Sequence, residues 1–196
     1  MLKKIPSWAI VLVVILVIMM SFSGTYNQMV TLSEGVEAKW SQVLNVYQRR
    51  ADLIPNIVET VKGYAAHEKE TLSAVIEARS KATQMQVNVE DLNAETFAKF
   101  QAAQKQMSGA LSRLMVVMER YPDLKANQNF LALQTQLEGT ENRITNERRI
   151  FNETVKLYNT YIRKLPQSLI AGITGFEKKP YFEAEESVKE APKVTF

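Results

Sequence analysis

The sequence predicts an all-α protein: an N-terminal transmembrane helix followed by a long antiparallel four-helix bundle with up-down-up-down topology. Three observations predict this class. An uncharged, apolar segment near the N-terminus is long enough to cross a bilayer. Apolar residues then recur at alternating intervals of three and four, while the period-two alternation of strands is absent. Glycine and proline are scarce, with 7 and 6 copies among 196 residues, which favours long helices.

The predicted anchor is residues 1–25. No charged residue occurs from Ile5 to Ser33, and residues 8–20 are continuously apolar. Roughly 27 Å of helix separates Trp8 from Tyr26, so one aromatic side chain can lie at each membrane interface. The predicted transmembrane residues include Ser7, Trp8, Phe22 and Tyr26.

A cleaved signal peptide is the competing interpretation of this segment. Lys3 and Lys4 form a basic end, an apolar stretch follows, and small residues at Ser21 and Ser23 suit a signal peptidase. If the anchor is retained, the positive-inside rule places the two lysines on the cytoplasmic side of the membrane. The sequence then predicts a single-pass protein with a cytoplasmic N-terminus and its bundle outside the cytoplasm.

Apolar seams divide the predicted bundle, residues 26–166, into four helices. These are predicted at about 26–65, 67–86, 94–121 and 127–165. Asn93 follows a linker that begins at Gln86, and it is the predicted N-cap of the third helix. Pro166 ends the fourth helix because proline has no N–H to continue it.

Pro55 is an anomaly inside the first bundle helix. It leaves the carbonyl of Ala51 without its helical donor, at a cost of ~3 kcal/mol in a helix interior. One interpretation is a tolerated kink. The other is a bend that sets the height of an inward polar group.

Polar residues interrupt the apolar seams near one height of the predicted bundle, with Gln104 and Glu141 about a turn or two above the arginines. The predicted inward polar layer consists of Arg50, Asp52, Arg79, Gln104, Glu141 and Arg148. The three arginines fall within a few ångströms of one another along the bundle axis, so they need counter-ions; Asp52, Glu141 and Glu147 are the candidates. Two interpretations stay open: a structural layer that fixes helix register, and a site that binds a small anion.

The C-terminal segment, residues 167–196, is predicted to be apolar at first, then charged, and only partly ordered. The uncharged run 167–176 is too short to span a bilayer. It either covers the membrane-proximal end of its own bundle or contacts the lipid interface or a neighbouring protomer. The residues predicted for this assembly or membrane-proximal role are Leu169, Ile170, Ile173 and Phe176. Helix lengths place Leu165 ~14 Å above the bilayer, and the chain beyond Pro180 is expected to be loosely ordered.

Several segments resemble the LemA family of bacterial membrane proteins. The most specific is residues 49–58 (RRADLIPNIV), followed by VKGY at 61–64 and His67-Glu68. ENRI at 141–144 and LIAG at 169–172 add to the likeness. The signature residues of the resemblance are Trp40, Arg50, Asp52, Pro55, Asn56, Tyr64, His67, Glu68, Asn142, Tyr158 and Asn159.

The resemblance implies a single-pass anchor and a helical bundle in a bacterial plasma (inner) membrane. It implies no established enzymatic function, and some relatives are associated with membrane shaping or biogenesis. The predicted partners, from the anchor and the scaffold interpretation, are the lipid bilayer, further copies of the chain and other membrane proteins.

The residues themselves indicate no catalytic, cofactor or metal site. The chain has no cysteine and one histidine, which excludes thiolate chemistry and a di-metal bundle with two Glu-x-x-His motifs. His67-Glu68 begins like a zinc-protease motif but lacks the second histidine. A net charge of +3 is too small to predict nucleic-acid binding.

Two functions from different classes therefore remain. The first is a non-enzymatic, membrane-anchored scaffold that self-associates or binds other membrane proteins. The alternative is a membrane-tethered sensor that binds a small anion at the inward arginine layer. An uncharted hydrolase ranks below both, because no acid–base pair at a cleft can be named.

Overall fold

The computed structural model describes residues 7–85, 87–88 and 92–183, and all regular structure in these ranges is helical. The helices are α1 (Ser7–Lys62), α2 (Lys69–Gln84), α3 (Ala94–Met118), α4 (Pro122–Lys125), α5 (Gln128–Arg163) and α6 (Gln167–Thr174). The four longer ones, α1, α2, α3 and α5, alternate in direction as a bundle, and α4 is a single turn between α3 and α5. The predicted fold class is confirmed.

The apolar N-terminal segment and the first bundle helix form one uninterrupted helix. α1 contains 56 residues, and its N-terminal part is long and apolar enough to cross a membrane. The large apolar side chains from Trp8 to Met20 are exposed, whereas Met29 is fully buried in the bundle. Bundle packing therefore begins just beyond the apolar run. Lys3 and Lys4, on which the predicted orientation depends, lie outside the described residues.

Local sequence explains where the bundle helices begin. The Asn93 side chain accepts the backbone N–H groups of Glu95 and Thr96, and the Thr96 hydroxyl accepts the N–H of Asn93. This reciprocal capping box confirms the predicted N-cap of α3. Asn127 caps α5 with a single hydrogen bond, which it accepts from the N–H of Phe130.

Pro55 lies inside α1, and α2 supplies the hydrogen bond that the proline removes. The Ala51 carbonyl has no donor four residues later, since Pro55 lacks an N–H. Arg79 of α2 donates its Nε–H to this carbonyl at 2.8 Å. Arg79 thus lies at the level of Arg50, as expected, but it bonds the backbone of α1.

We expect Arg79→Met to lower the free energy of unfolding by ~1–3 kcal/mol, because it leaves a half-buried carbonyl unpaired. In a Pro55→Ala background the same change should cost less, since the alanine N–H restores the helical bond. Chemical denaturation of the full chain in detergent measures this coupling as a double-mutant cycle. Lys81→Met, at an exposed ion pair on α2, is the matched control. If the free-energy costs of Arg79→Met and Pro55→Ala are strictly additive, Arg79 does not compensate for the hydrogen bond that Pro55 removes.

α5 lies antiparallel beside α1 in a register that brings its end to the membrane. Arg50 pairs with Glu141, and in the same register Trp40 packs on Phe151. Leu165 lies as many residues below Glu141 as Tyr26 lies below Arg50. At the helical rise Leu165 is therefore level with Tyr26.

The expected height of ~14 Å for Leu165 is wrong because α3 begins closer to the membrane end than the level at which α2 ends. The Val87 carbonyl accepts the indole N–H of Trp40 at 2.9 Å, well below the level at which Arg79 contacts α1. α3 starts from this lower level, and Phe97 in its first turn also packs on Trp40. α3 therefore also ends closer to the membrane than expected, and α5, which runs back from there, reaches the membrane end of the bundle.

Candidate functional site

Arg50 is the only charged side chain that is buried among the described residues, with 1% exposure. It belongs to the buried face of α1, in the same seam as Tyr47 and Ile54. Its Nη1 donates to Ser108 Oγ and to Glu141 Oε1, both at 2.9 Å. Its Nη2 donates to Gln104 Oε1 at 2.6 Å and to the Gln104 carbonyl at 3.4 Å. One guanidinium thus joins α1 to α3 and α5.

The electrostatics of this cluster depend on Glu141, whose side chain is 41% exposed and supplies the counter-charge. A buried cation without a partner is strongly destabilising, so the pairing is required by the burial of Arg50. The guanidinium also lies over the Tyr47 ring, with Cζ 5.0 Å from the centroid. Its Nε is buried with no hydrogen-bond partner.

The other residues predicted for the inward layer lie elsewhere. Asp52 is exposed on α1 and accepts a hydrogen bond from Gln48, so the expectation that it neutralises Arg50 is wrong. Arg148 is half-buried at the edge of the cluster, where Nη2 donates to the Glu183 carbonyl at 3.0 Å. Its Cζ lies 4.8 Å from the centroid of the Phe182 ring.

A cleft of about 400 Å³ opens beside this cluster, between α3 and α5. Its charged lining consists of Arg50, Lys105, Glu141, Arg148 and Glu183, and Gln104 and Ser108 add polar groups. Sequence reasoning missed Ser108 and Lys105. Ser108 lies four residues after Gln104, on the same face of α3, so helical spacing could have identified it. The cleft has the size and the excess of cations to hold a small anion.

The C-terminal segment runs back along α5 and is held there by two asparagines. The Asn152 side chain donates to the Phe182 carbonyl at 2.9 Å and accepts its N–H at 2.8 Å. Asn159 makes the same pair of bonds with Lys179, at 2.8 and 3.0 Å. In each pair, the asparagine side-chain amide bonds the N–H and the C=O of one backbone residue, as a neighbouring β-strand would. They fix the segment's register on α5.

Phe182 completes the core of the membrane-proximal half of the bundle. It is buried, and its ring lies 4.7 Å from that of Phe97 and 5.5 Å from that of Phe151. The expectation of a loosely ordered chain beyond Pro180 is therefore wrong for residues 181–183. Residues 184–196 lie outside the described part of the chain.

The residues predicted for a membrane-proximal role divide between the two sides of α6. Ile170 and Phe176 pack against the bundle, whereas Leu169 and Ile173 are exposed. The apolar run thus covers the membrane end of its own bundle with one side. Its other side has no cover within the described residues.

Burial, assisted by the Glu177 carboxylate, raises the pKa of Tyr158 to about 12. The Tyr158 hydroxyl donates to the Glu177 carbonyl at 2.9 Å, which adds a third tie to the C-terminal segment. Because the folded pKa exceeds the value of about 10 in an unfolded chain, the proton stabilises the folded state. This contribution is complete below pH ~10 and is lost as pH rises through ~12.

We therefore expect thermal stability to fall between those pH values in the wild type and to fall less in Tyr158→Phe. Thermal unfolding followed by circular dichroism across this range measures the difference. Tyr181→Phe, at an exposed ring on the same segment, is the control. Identical pH profiles for wild type and Tyr158→Phe contradict the assignment.

The remaining signature residues lie away from the cleft, and several stabilise the membrane-distal turns. Glu68 accepts hydrogen bonds from Arg120 and Tyr121, and the first of these is also an ion pair. The Tyr64 hydroxyl accepts the side-chain N–H of Asn127. The exposed signature residues include Pro55, Asn56, His67 and Asn142. Within the described ranges, no group of three or more His, Asp or Glu side chains could hold a metal ion.

One helix able to cross a membrane and a bundle tied together by a buried arginine define a membrane-associated helical-bundle protein. The LemA family model matches residues 39–196, and the chain belongs to the LemA family, which confirms the resemblance.

Relatives of known name support this membership. Magnetosome protein MamQ 1 of Paramagnetospirillum magneticum and magnetosome protein MamQ of Magnetospirillum gryphiswaldense are both 29% identical to this chain. Each alignment is 187 residues long and covers 87% of this chain and 68% of the relative. Protein LemA of Metamycoplasma hominis is 23% identical over 165 residues, 84% of this chain and 72% of the relative. None of these names states an enzymatic activity.

Proposed function

We propose that this protein is a non-enzymatic, membrane-anchored scaffold that self-associates and organises proteins of the bacterial envelope. The observation that carries the proposal is the unbroken α1, which passes from the apolar segment into the bundle without a hinge. From Tyr26 to Lys62 it extends roughly 54 Å. A continuous helix of this length holds the bundle in line with the membrane-spanning segment, which suits a protein that positions others.

Exposed apolar side chains in the distal half of the bundle support self-association. Ile76 of α2, Val116 of α3 and Leu131 of α5 are all exposed. A second copy or another membrane protein can cover such side chains at the centre of an interface. We assign the contact between copies to this distal half.

Extraction of the full chain in mild detergent, followed by light scattering, tests the scaffold. We expect a discrete homo-oligomer, and we expect Val116→Glu combined with Leu131→Glu to reduce its mass. Lys81→Glu, at an exposed position that is already charged, is the control. A monomer both in detergent and after cross-linking in native membranes contradicts the proposal.

The proposed orientation places the N-terminus in the cytoplasm and the bundle outside the plasma membrane. A reporter that is active only in an oxidising compartment, fused after Phe196, is expected to be active. A cytoplasmic reporter at the same site is expected to be silent, and the opposite pattern contradicts the orientation. The size of the fusion on a gel also shows whether the chain is shortened after Ser23.

Anion sensing is the second candidate, and the cleft beside Arg50 favours it. Three cations, Arg50, Lys105 and Arg148, face two carboxylates in its lining, and Arg50 Nε has no partner. Inorganic phosphate and succinate are suitable probes. At constant ionic strength, each is expected to raise the unfolding temperature of the protein, and the rise should level off as the site fills. Lys105→Met should weaken that rise, whereas Arg149→Met, at an exposed ion pair, should not. Equal responses to chloride and phosphate contradict an anion site.

A further inference from the structure

α6 carries an apolar stripe on the side that faces away from the bundle. Leu169 and Ile173 lie four residues apart on α6 and are 65% and 80% exposed, and Leu165, just before α6, is 77% exposed. The opposite side of the helix is covered, with Ala171 buried and Ile170 packed on the core shared by α1 and α5. The stripe is therefore the exposed apolar face of a short helix, and it has no partner in the described part of the chain.

This stripe lies at the end of the bundle that meets the membrane. The register of α5 on α1 places Leu165 level with Tyr26. The Phe176 ring, just beyond α6, packs edge-on against the Tyr26 ring at 5.8 Å. Immediately below Tyr26, α1 exposes the apolar side chains that run from Phe22 back to Trp8. α6 and the apolar part of α1 thus meet at one boundary, where an interfacial aromatic is expected.

Basic side chains flank the stripe on both sides. Arg163 and Lys164 precede it and Lys178 follows it, all three exposed. No charged residue occurs from Leu165 to Phe176. Helices that lie in a membrane interface combine an apolar face with cations at the headgroups, which anionic lipids attract.

We propose that α6 lies in the interface of the same bilayer that α1 spans. Leu165, Leu169 and Ile173 enter the boundary between headgroups and acyl chains, and the flanking cations contact anionic headgroups. This inference rests on the proposed membrane anchoring and adds a second membrane contact to it. A single spanning helix leaves the bundle free to tilt and rotate, whereas two contacts fix its orientation.

The chain has no cysteine, so a single engineered cysteine gives a unique probe position. The full chain carrying Ile173→Cys is labelled with an environment-sensitive fluorophore and reconstituted in vesicles of equimolar phosphatidylcholine and phosphatidylglycerol. Because an interfacial helix buries its apolar face roughly 5–10 Å deep, lipid-attached quenchers should quench this probe several-fold more than one at Ala66→Cys. Ala66 is also exposed but lies in the turn between α1 and α2, at the distal end of the bundle. Equal quenching at the two positions overturns the proposal.

Two further arms separate the possible failures. A probe at Val14→Cys, in the spanning part of α1, reports the anchoring itself. Quenching at Val14 without quenching at Ile173 contradicts the interfacial helix and agrees with the membrane anchor. If neither position is quenched, the result contradicts the membrane anchoring as well. Protection of the Ile173 probe from aqueous quenchers without quenching by lipid means that a second copy covers the stripe, which also overturns the proposal.

The headgroup contact has its own test. Replacing phosphatidylglycerol by phosphatidylcholine is expected to weaken the quenching at Ile173, since the anionic attraction is lost. Lys164→Gln combined with Lys178→Gln should reduce this dependence on lipid charge, because only Arg163 of the three flanking cations remains. A dependence that the double change leaves undiminished contradicts the assigned role of these lysines.

Discussion

Replacing Trp40 by alanine is expected to lower the free energy of unfolding by ~3–5 kcal/mol, the usual cost of removing a large aromatic side chain from a core. Trp40 is fully buried on α1. Its ring packs on four phenylalanines from two other helices and the C-terminal segment: Phe97, Phe100, Phe151 and Phe182. The loss of its N–H also leaves the Val87 carbonyl without this donor.

Chemical denaturation of the full chain in detergent, followed by circular dichroism, measures the effect. Trp40→Phe keeps most of the ring volume but removes the N–H, so it should cost less than half as much as alanine. Trp8→Ala is the control because Trp8 is exposed on the anchor. A loss below ~1 kcal/mol for Trp40→Ala, within the range of ordinary substitutions, shows that this aromatic cluster does not hold the bundle together.

The four long helices were predictable from sequence because each of them buries one stripe, and a stripe of apolar residues at helical spacing is visible without coordinates. The short helices α4 and α6 were not predicted, since neither is long enough to show a period. Asn93 was predictable as an N-cap for a similarly local reason. Phe182 was not predictable. It lies next to Tyr181 in a charged segment with no period, and nothing in the segment shows which of the two rings is buried. Its position depends on Asn152 and Asn159, which are far from it in sequence.

The same distinction applies to the candidate site. Arg50, Gln104 and Glu141 lie on the apolar seams of three helices, so their convergence follows from the packing of those seams. Asp52 was a wrong choice of counter-ion because two residues along an α-helix turn the side chain roughly 200°, to the opposite face. Lys105 lies off the seam of α3 and lines the cleft only because α3 and α5 leave a gap, which no periodicity reveals.

The buried ion pair predicts an unequal response to the loss of either partner. Glu141→Leu leaves the Arg50 guanidinium buried without its counter-charge, and the expected cost lies towards the lower end of roughly 3–5 kcal/mol, because Glu141 is partly exposed. Arg50→Met should cost less, ~1–3 kcal/mol, since Glu141 can turn to water and the main loss is the hydrogen bonding of Gln104 and Ser108.

Combining Arg50→Met with Glu141→Leu should cost less than the sum of the two single changes, because the second change no longer strands a charge. Denaturation of the four proteins gives the coupling energy directly, and values of ~1–3 kcal/mol are expected for groups in contact. The exposed pair Arg149 and Glu153 is the matched control, for which the coupling should be ~0–1 kcal/mol. If both single changes at Arg50 and Glu141 leave the unfolding midpoint unchanged, Arg50 does not join α1 to α3 and α5 energetically.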